Sequence, residues 1–92
     1  SQVIKIYKNL IRKNLKVDIY DPMVDSKKVR EIHKIDLIKG VKDKYHGIII
    51  CVKHKLFLKK FNLNKLNSHL IKKNVIYDLK WMLPNDKNIM TL

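Results

Sequence analysis

Residues 16–25 read KVDIYDPMVD, and the order of residue types in this stretch decides the predicted fold. Its first half alternates apolar and polar residues, which is the side-chain period of a β-strand. The Asp21-Pro22 pair ends that strand, because proline lacks the N–H that a ladder needs. Asp25 is a good helix cap, and a helix is predicted to begin at Ser26. Helix, strand, acid, turn and helix in this order are typical of an α/β nucleotide-binding unit, where ligands bind at the carboxyl ends of strands.

Outward from this stretch, amphipathic helices and apolar strands alternate along the chain. The 3.6-residue spacing of apolar side chains predicts helices over 3–11, 26–33, 56–61 and 63–71, with one helical turn over 41–45. Asn14 is predicted to stop the first helix in a left-handed conformation. Beyond Pro84 the chain is predicted to be a polar tail.

The predicted strands cover residues 15–20, 47–52 and 74–78, with a weaker one over 35–38. The run at 47–52 is continuously apolar and rich in β-branched residues, so we expect a central strand that is buried on both faces. Strands separated by helices imply right-handed crossovers. The predicted fold class is therefore α/β, with a Rossmann-like parallel sheet and helices on both faces.

The bulk composition predicts one small cytoplasmic domain over residues 1–92. A chain of 92 residues buries a limited fraction of its surface, so its margin of stability is thin. The single cysteine, Cys51, excludes an internal disulfide and fits a reducing compartment. No apolar run approaches the roughly 18 residues of a membrane helix. The chain opens without a Met, and we expect a fragment of a longer protein.

The net charge of +13 raises the question of nucleic acid as a partner. Lysine outnumbers arginine by nineteen to two, although arginine is the residue preferred for phosphate and base contacts. We therefore interpret most lysines as solvated surface residues and expect no specific nucleic-acid partner. A basic nucleic-acid-binding module remains the alternative, and salt-sensitive binding would distinguish it.

Candidate ligand contacts follow the predicted strands. Lys53, His54 and Lys55 come directly after the central strand, and their two ammonium groups and imidazole suit a diphosphate; the alternative is an ordinary solvated loop. Asp21 is placed to bind a ribose hydroxyl, or else only to satisfy backbone N–H groups of its turn. Asp78 and Lys80 flank the end of the last strand, and we expect them to pair with each other rather than face a cleft.

Several kinds of site lack support in the sequence. The four histidines show no metal-ligand spacing and one cysteine is available, so no metal site is predicted. No Gly-x-Gly-x-x-Gly motif is present, so the chain is not expected to cradle a dinucleotide. No catalytic residue is assigned.

Three blocks of sequence match one family in order and spacing: residues 17–25, residues 45–57 (YHGIIICVKHKLF) and residues 75–84 (VIYDLKWMLP). With them the chain resembles the C-terminal, UDP-binding domain of the UDP-glucose/GDP-mannose dehydrogenase family. The Val-x-His form of the second block is more similar to the branch that acts on UDP-N-acetylhexosamines or their uronic acids. His46-Gly47 departs from the family's usual Asp-Ala.

The resemblance implies a UDP-sugar substrate and an intact enzyme that uses NAD. That enzyme would oxidise the C6 alcohol of the sugar to a carboxylate for polysaccharide synthesis. It would be a homo-oligomer with NAD-binding and central domains upstream, so this chain alone would bind no NAD and show no activity. The family's catalytic cysteine also lies upstream, and Cys51 is not expected to replace it because it falls inside a buried strand.

The resemblance also implies that the first strand of the sheet precedes Ser1. In the common doubly wound order, the strands over 15–20 and 47–52 would then lack their shared neighbour. We expect these 92 residues to be an excerpt of a longer chain, or another copy to supply a strand; direct pairing of the two strands ranks last. A ligand-free α/β interaction domain remains a further alternative to substrate binding.

Overall fold

The computed structural model describes residues 2–51, 53–80, 83–84 and 89–91, with the backbone alone at 72–74. The chain divides into two compact units, Ser1–Val41 and Lys42–Leu92. Within the described residues, the first unit contains two helices and extended segments, and the second contains the sheet with two short helices.

The first helix, α1, spans Gln2–Arg12 and follows the predicted apolar spacing. The chain then turns at Asn14, whose φ of 63° lies in the left-handed region. The Leu15 amide donates to the Leu10 carbonyl at 3.2 Å, and the Asn14 amide donates to the Ile11 carbonyl at 2.9 Å. These paired bonds satisfy the last carbonyls of the helix, so the predicted stop is confirmed.

The second helix, α2, spans Ser26–His33 as predicted. Asp25 is its cap: the carboxylate accepts hydrogen bonds from the amides of Lys27 and Lys28 at 3.0 and 3.4 Å. Lys34 ends the helix with a φ of 59°. Both ends of α2 are therefore set by local interactions, of which the Asp25 cap is visible in the sequence.

The predicted strands over 15–20 and 35–38 are not formed. All of these residues are described, and none of them belongs to a strand. The Ile38 amide donates to the Ile19 carbonyl at 2.9 Å, so the two segments meet without building a ladder. Alternation along a segment shows which side is apolar, whereas a strand also needs a neighbour along its length.

The second unit contains a sheet that has three parallel strands within the described residues, in the order β1-β2-β3. In chain order these strands are Tyr45–Ile50, Leu70–Asp78 and Ile89–Thr91. The predicted α/β, Rossmann-like class with a parallel sheet is confirmed. The tail predicted beyond Pro84 is wrong at β3, a strand too short to stand out in the sequence.

Two short helices connect β1 to β2, as a parallel crossover requires. They are α3, Lys55–Lys60, and α4, Leu63–Ser68. The helix predicted over 63–71 is shorter than expected, because the chain is already in β2 from Leu70. The helical turn predicted over 41–45 is wrong, since irregular chain leads directly into β1.

The two faces of the sheet differ in burial. Ile50 and Ile76 are 4% and 0% exposed and form part of the core. On the other face Ile49, Tyr77 and Met90 share one row across the sheet and are 37%, 42% and 51% exposed. The prediction that β1 is buried on both faces is therefore wrong at Ile49, because a strand's own sequence does not determine what covers its second face.

Candidate functional site

The carboxyl ends of the three strands meet at one edge of the sheet. Ile50 of β1 lies opposite Asp78 of β2, which in turn lies opposite Thr91 of β3. Beyond this row the Leu79 amide donates to the Ile50 carbonyl at 3.1 Å. The residues that follow β1 and β2 thus leave the sheet at the edge where parallel sheets bind ligands.

Five side chains that follow these strand ends make up what we term the carboxyl-edge site: Cys51, Lys53, His54, Lys55 and Lys80. The three lysines are exposed. Within the described part of the chain, none of them forms an ion pair. Their ammonium groups are therefore available to an anion. Val52, which belongs to the predicted contact stretch, lies outside the described residues.

His54 connects β1 to α3. Its backbone is extended, and its carbonyl accepts hydrogen bonds from the Phe57 and Leu58 amides at 3.1 and 3.3 Å, which begin the helix. Its half-buried side chain makes no capping bond. Nδ1 is buried and has no hydrogen-bond partner among the described residues. Because buried nitrogens are normally hydrogen-bonded, this atom is available for a ligand contact.

Asp78, the last residue of β2, is fully buried. Its Oδ1 accepts a hydrogen bond from the Lys80 amide at 3.3 Å, and its Oδ2 accepts one from the Leu83 amide at 2.8 Å. Within the described residues Asp78 has no ion pair, so the expected pairing with the Lys80 ammonium is wrong. The carboxylate instead holds the backbone of the turn that carries Lys80.

Cys51 follows β1 directly and is half-buried, rather than lying inside a buried strand as predicted. Burial raises the pKa of the Cys51 thiol, and the nearby Lys80 ammonium offsets part of that increase. The two side chains, which follow the ends of neighbouring strands, thus interact electrostatically. The thiol is protonated at neutral pH, which does not favour a nucleophilic role.

Asp21 belongs to the first unit. Its Oδ1 accepts a hydrogen bond from the Met23 amide at 2.9 Å, as expected for an Asp-Pro turn. Asp21 also lines a cleft together with Tyr20, Ser26 and Lys39. The structural role of this carboxylate is established, while its contact with a ribose hydroxyl stays a prediction.

Comparison with known proteins identifies the family. The profile described as "UDP-glucose/GDP-mannose dehydrogenase family, UDP binding domain" matches residues 1–85. The chain belongs to this family. The resemblance drawn from the three sequence blocks is therefore confirmed.

Two curated relatives of this UDP-binding domain are both named UDP-N-acetyl-D-glucosamine 6-dehydrogenase. The protein from Salmonella typhi is 34% identical over 93 residues, and the one from Pseudomonas aeruginosa is 30% identical over 95 residues. Each alignment covers 100% of this chain and 22% of the relative. The chain therefore spans about a fifth of the length of these proteins. No solved structure gives a significant match.

The described residues do not fit a dinucleotide. Gly47 lies inside β1, where an added Cβ would lie 3.6 Å from the Val75 carbonyl oxygen, and Gly40 has no atom within 4 Å of that position. Neither glycine has a positive φ. A glycine-rich turn between strand and helix, which cradles a pyrophosphate, is thus missing from the described chain.

The described residues also lack two further kinds of feature, a metal-binding cluster and a membrane-spanning helix. No group of three or more His, Cys, Asp or Glu side chains is arranged to hold a metal ion. No helix there is long and apolar enough to cross a membrane.

The sequence analysis did not include Lys80 among the candidate contacts. Its place at the same edge of the sheet as residues 53–55 depends on the pairing of β1 with β2, which no local pattern encodes. The useful signal was a short distance from a strand end: Lys80 follows the end of β2 by two residues, and Lys53 follows the end of β1 by three. In a parallel sheet, residues just beyond strand ends share an edge.

Proposed function

We propose that the carboxyl-edge site binds the diphosphate of a UDP-sugar. The family is a UDP-binding one, and this edge presents the exposed ammonium groups of Lys53, Lys55 and Lys80. Ammonium groups without carboxylate partners form charge-assisted hydrogen bonds with phosphate oxygens. The open Nδ1 of His54 supplies one further hydrogen bond. The observation that carries the proposal is that three exposed ammonium groups, which form no ion pair within the described residues, follow the ends of two paired parallel strands.

For the intact protein we propose an NAD-dependent UDP-sugar 6-dehydrogenase, which acts in the cytoplasm as a homo-oligomer. It would oxidise the C6 alcohol of a UDP-hexose or UDP-N-acetylhexosamine to the uronic acid, for polysaccharide synthesis. The names of the two relatives support an N-acetylglucosamine substrate. NAD would be held by an upstream domain, since the described residues offer no cradle for it. This chain's part is to hold the nucleotide while the sugar is oxidised elsewhere.

Titration of the ¹⁵N-labelled chain with UDP tests the proposed site. We expect amide chemical-shift changes at residues 53–55 and at Lys80, with smaller changes for uridine, because the diphosphate provides the contacts. Addition of NAD and UDP-N-acetylglucosamine should produce no NADH. Chemical-shift changes confined to other segments on addition of UDP would contradict the proposal. So would binding of duplex DNA to the same residues that UDP does not displace.

His54→Ala tests the histidine in the intact enzyme. We expect KM for the nucleotide sugar to rise about tenfold, the effect of losing one well-placed hydrogen bond, while KM for NAD stays nearly unchanged. Steady-state kinetics with each substrate varied in turn measures both constants. His33→Ala is the control, because His33 is exposed at the end of α2. A change confined to NAD would place His54 outside the substrate site.

A further inference from the structure

The buried carboxylate of Asp78 has no role in the proposed contacts, although it is the only polar or charged side chain among the described residues that is fully buried. Burying a carboxylate costs free energy unless hydrogen bonds replace its water. Here both replacements are backbone amides that follow the strand, those of Lys80 and Leu83. Asp21 performs a similar turn function with its carboxylate only half-buried. A carboxylate can therefore hold the backbone after it without being fully buried, so the full burial of Asp78 calls for a further explanation.

The turn that Asp78 holds carries Lys80. Asp78 itself is fixed by its place in the central strand of the sheet, between Ile50 and Thr91. The Leu79 amide extends the pairing to β1 by one further bond. The backbone amides of Leu79 and Lys80 are therefore both held by hydrogen bonds, although the Lys80 side chain is exposed. The Lys80 ammonium lies close enough to Cys51 to act on that thiol electrostatically.

We propose that Asp78 is a positioning residue of the carboxyl-edge site: its buried carboxylate holds the backbone amides of Lys80 and Leu83 and thereby places the Lys80 ammonium against the phosphates of the nucleotide. The proposal rests on the proposed function in that it takes the ligand to be a nucleoside diphosphate. Asp78 touches no ligand and acts through Lys80.

A double-mutant cycle on UDP binding by the intact protein tests this role. Lys80→Gln should raise Kd for UDP about tenfold, and Asp78→Asn about fivefold, because Asn keeps the size but loses one acceptor oxygen. The double variant should bind no more weakly than Lys80→Gln. Asp43→Asn removes the same charge from an exposed position before β1 and should leave Kd unchanged. Effects of Asp78→Asn and Lys80→Gln that multiply, or an unchanged Kd for folded Asp78→Asn, would overturn the proposal.

The alkylation rate of Cys51 gives a second readout that needs no nucleotide. Lys80→Gln should slow alkylation by iodoacetamide about threefold, because the thiolate loses a nearby cation. Asp78→Asn should also slow the alkylation of Cys51, because the Lys80 ammonium is then no longer held near the thiol. Loss of a nearby negative charge, or loosening of the fold around the thiol, would instead speed the reaction. Faster or unchanged alkylation in Asp78→Asn therefore overturns the positioning role.

These two readouts separate the proposals. If the protein does not bind UDP but Asp78→Asn slows alkylation as Lys80→Gln does, the proposed function fails and the placement of Lys80 by Asp78 stands. If UDP binds and neither Kd nor alkylation responds to Asp78→Asn, only the positioning role fails.

Should Asp78→Asn not fold, Leu83→Pro removes one donor to the carboxylate while leaving Asp78 in the core, and the same slowing of alkylation is expected.

Discussion

Replacing Lys53, Lys55 and Lys80 together by glutamine is expected to weaken UDP binding about 100-fold or more. Each ammonium group that contacts a phosphate contributes a charge-assisted hydrogen bond, and three such losses combine to at least two orders of magnitude in Kd. Glutamine keeps most of the side-chain length, so the change is mainly one of charge. Isothermal titration calorimetry with UDP measures the effect, and circular dichroism checks that the variant is folded.

A matched triple variant separates local from diffuse electrostatics. Lys42, Lys44 and Lys65 are exposed, form no ion pair within the described residues, and lie before β1 or in α4 rather than after a strand end. Their replacement by glutamine removes the same three charges and should change Kd less than about threefold at physiological ionic strength. An equal loss in both variants would mean that the overall charge of +13 drives binding, as in a basic nucleic-acid-binding module.

The local features of the fold were the most predictable from the sequence. Asn14 and Asp25 act through interactions with residues at most a few positions away, so their roles as helix stop and helix cap follow from residue type and place. The continuous apolar run in β1 likewise identified a strand of the parallel sheet. Each of these predictions depends on a property that the segment itself contains.

The features that depend on distant partners were less predictable. Residues 15–20 have the alternation of a strand, but only a neighbour along their length would make them one. Ile49 and Ile50 are adjacent and chemically identical, yet they are 37% and 4% exposed, because they point to opposite faces with different cover. β3 pairs with β2 through three residues in a stretch of otherwise polar sequence.

The site shows the same division between local and distant information. Lys53, His54 and Lys55 follow one strand, and their shared position was visible in the sequence. Lys80 joins them only through the register of β1 with β2. The sequence placed Asp78 beside Lys80 and suggested an ion pair, whereas burial turned the carboxylate toward backbone amides. A buried carboxylate is more readily hydrogen-bonded by backbone amides than by a lysine ammonium group, because the ammonium group is strongly hydrated and costs more free energy to bury.

Ile76→Ala is expected to lower the free energy of unfolding by about 2–5 kcal/mol, the usual cost of truncating a buried aliphatic side chain. Ile76 is 0% exposed and lies in β2, between the other two strands of the sheet. Among the described residues of the second unit, four apolar side chains are buried: Ile50, Phe61, Leu66 and Ile76. Losing one side chain of so small a core removes much of the stability of a small domain.

Ile49→Ala removes the same atoms from the opposite face of the sheet and should cost about 1 kcal/mol or less, since Ile49 is 37% exposed. Urea unfolding followed by circular dichroism compares the two variants. Equal losses would mean that the Ile49 face is covered in solution as well as the Ile76 face. A small loss for Ile76→Ala would show that the sheet core is not what holds the second unit together, and the geometry of the carboxyl-edge site would then lose its support.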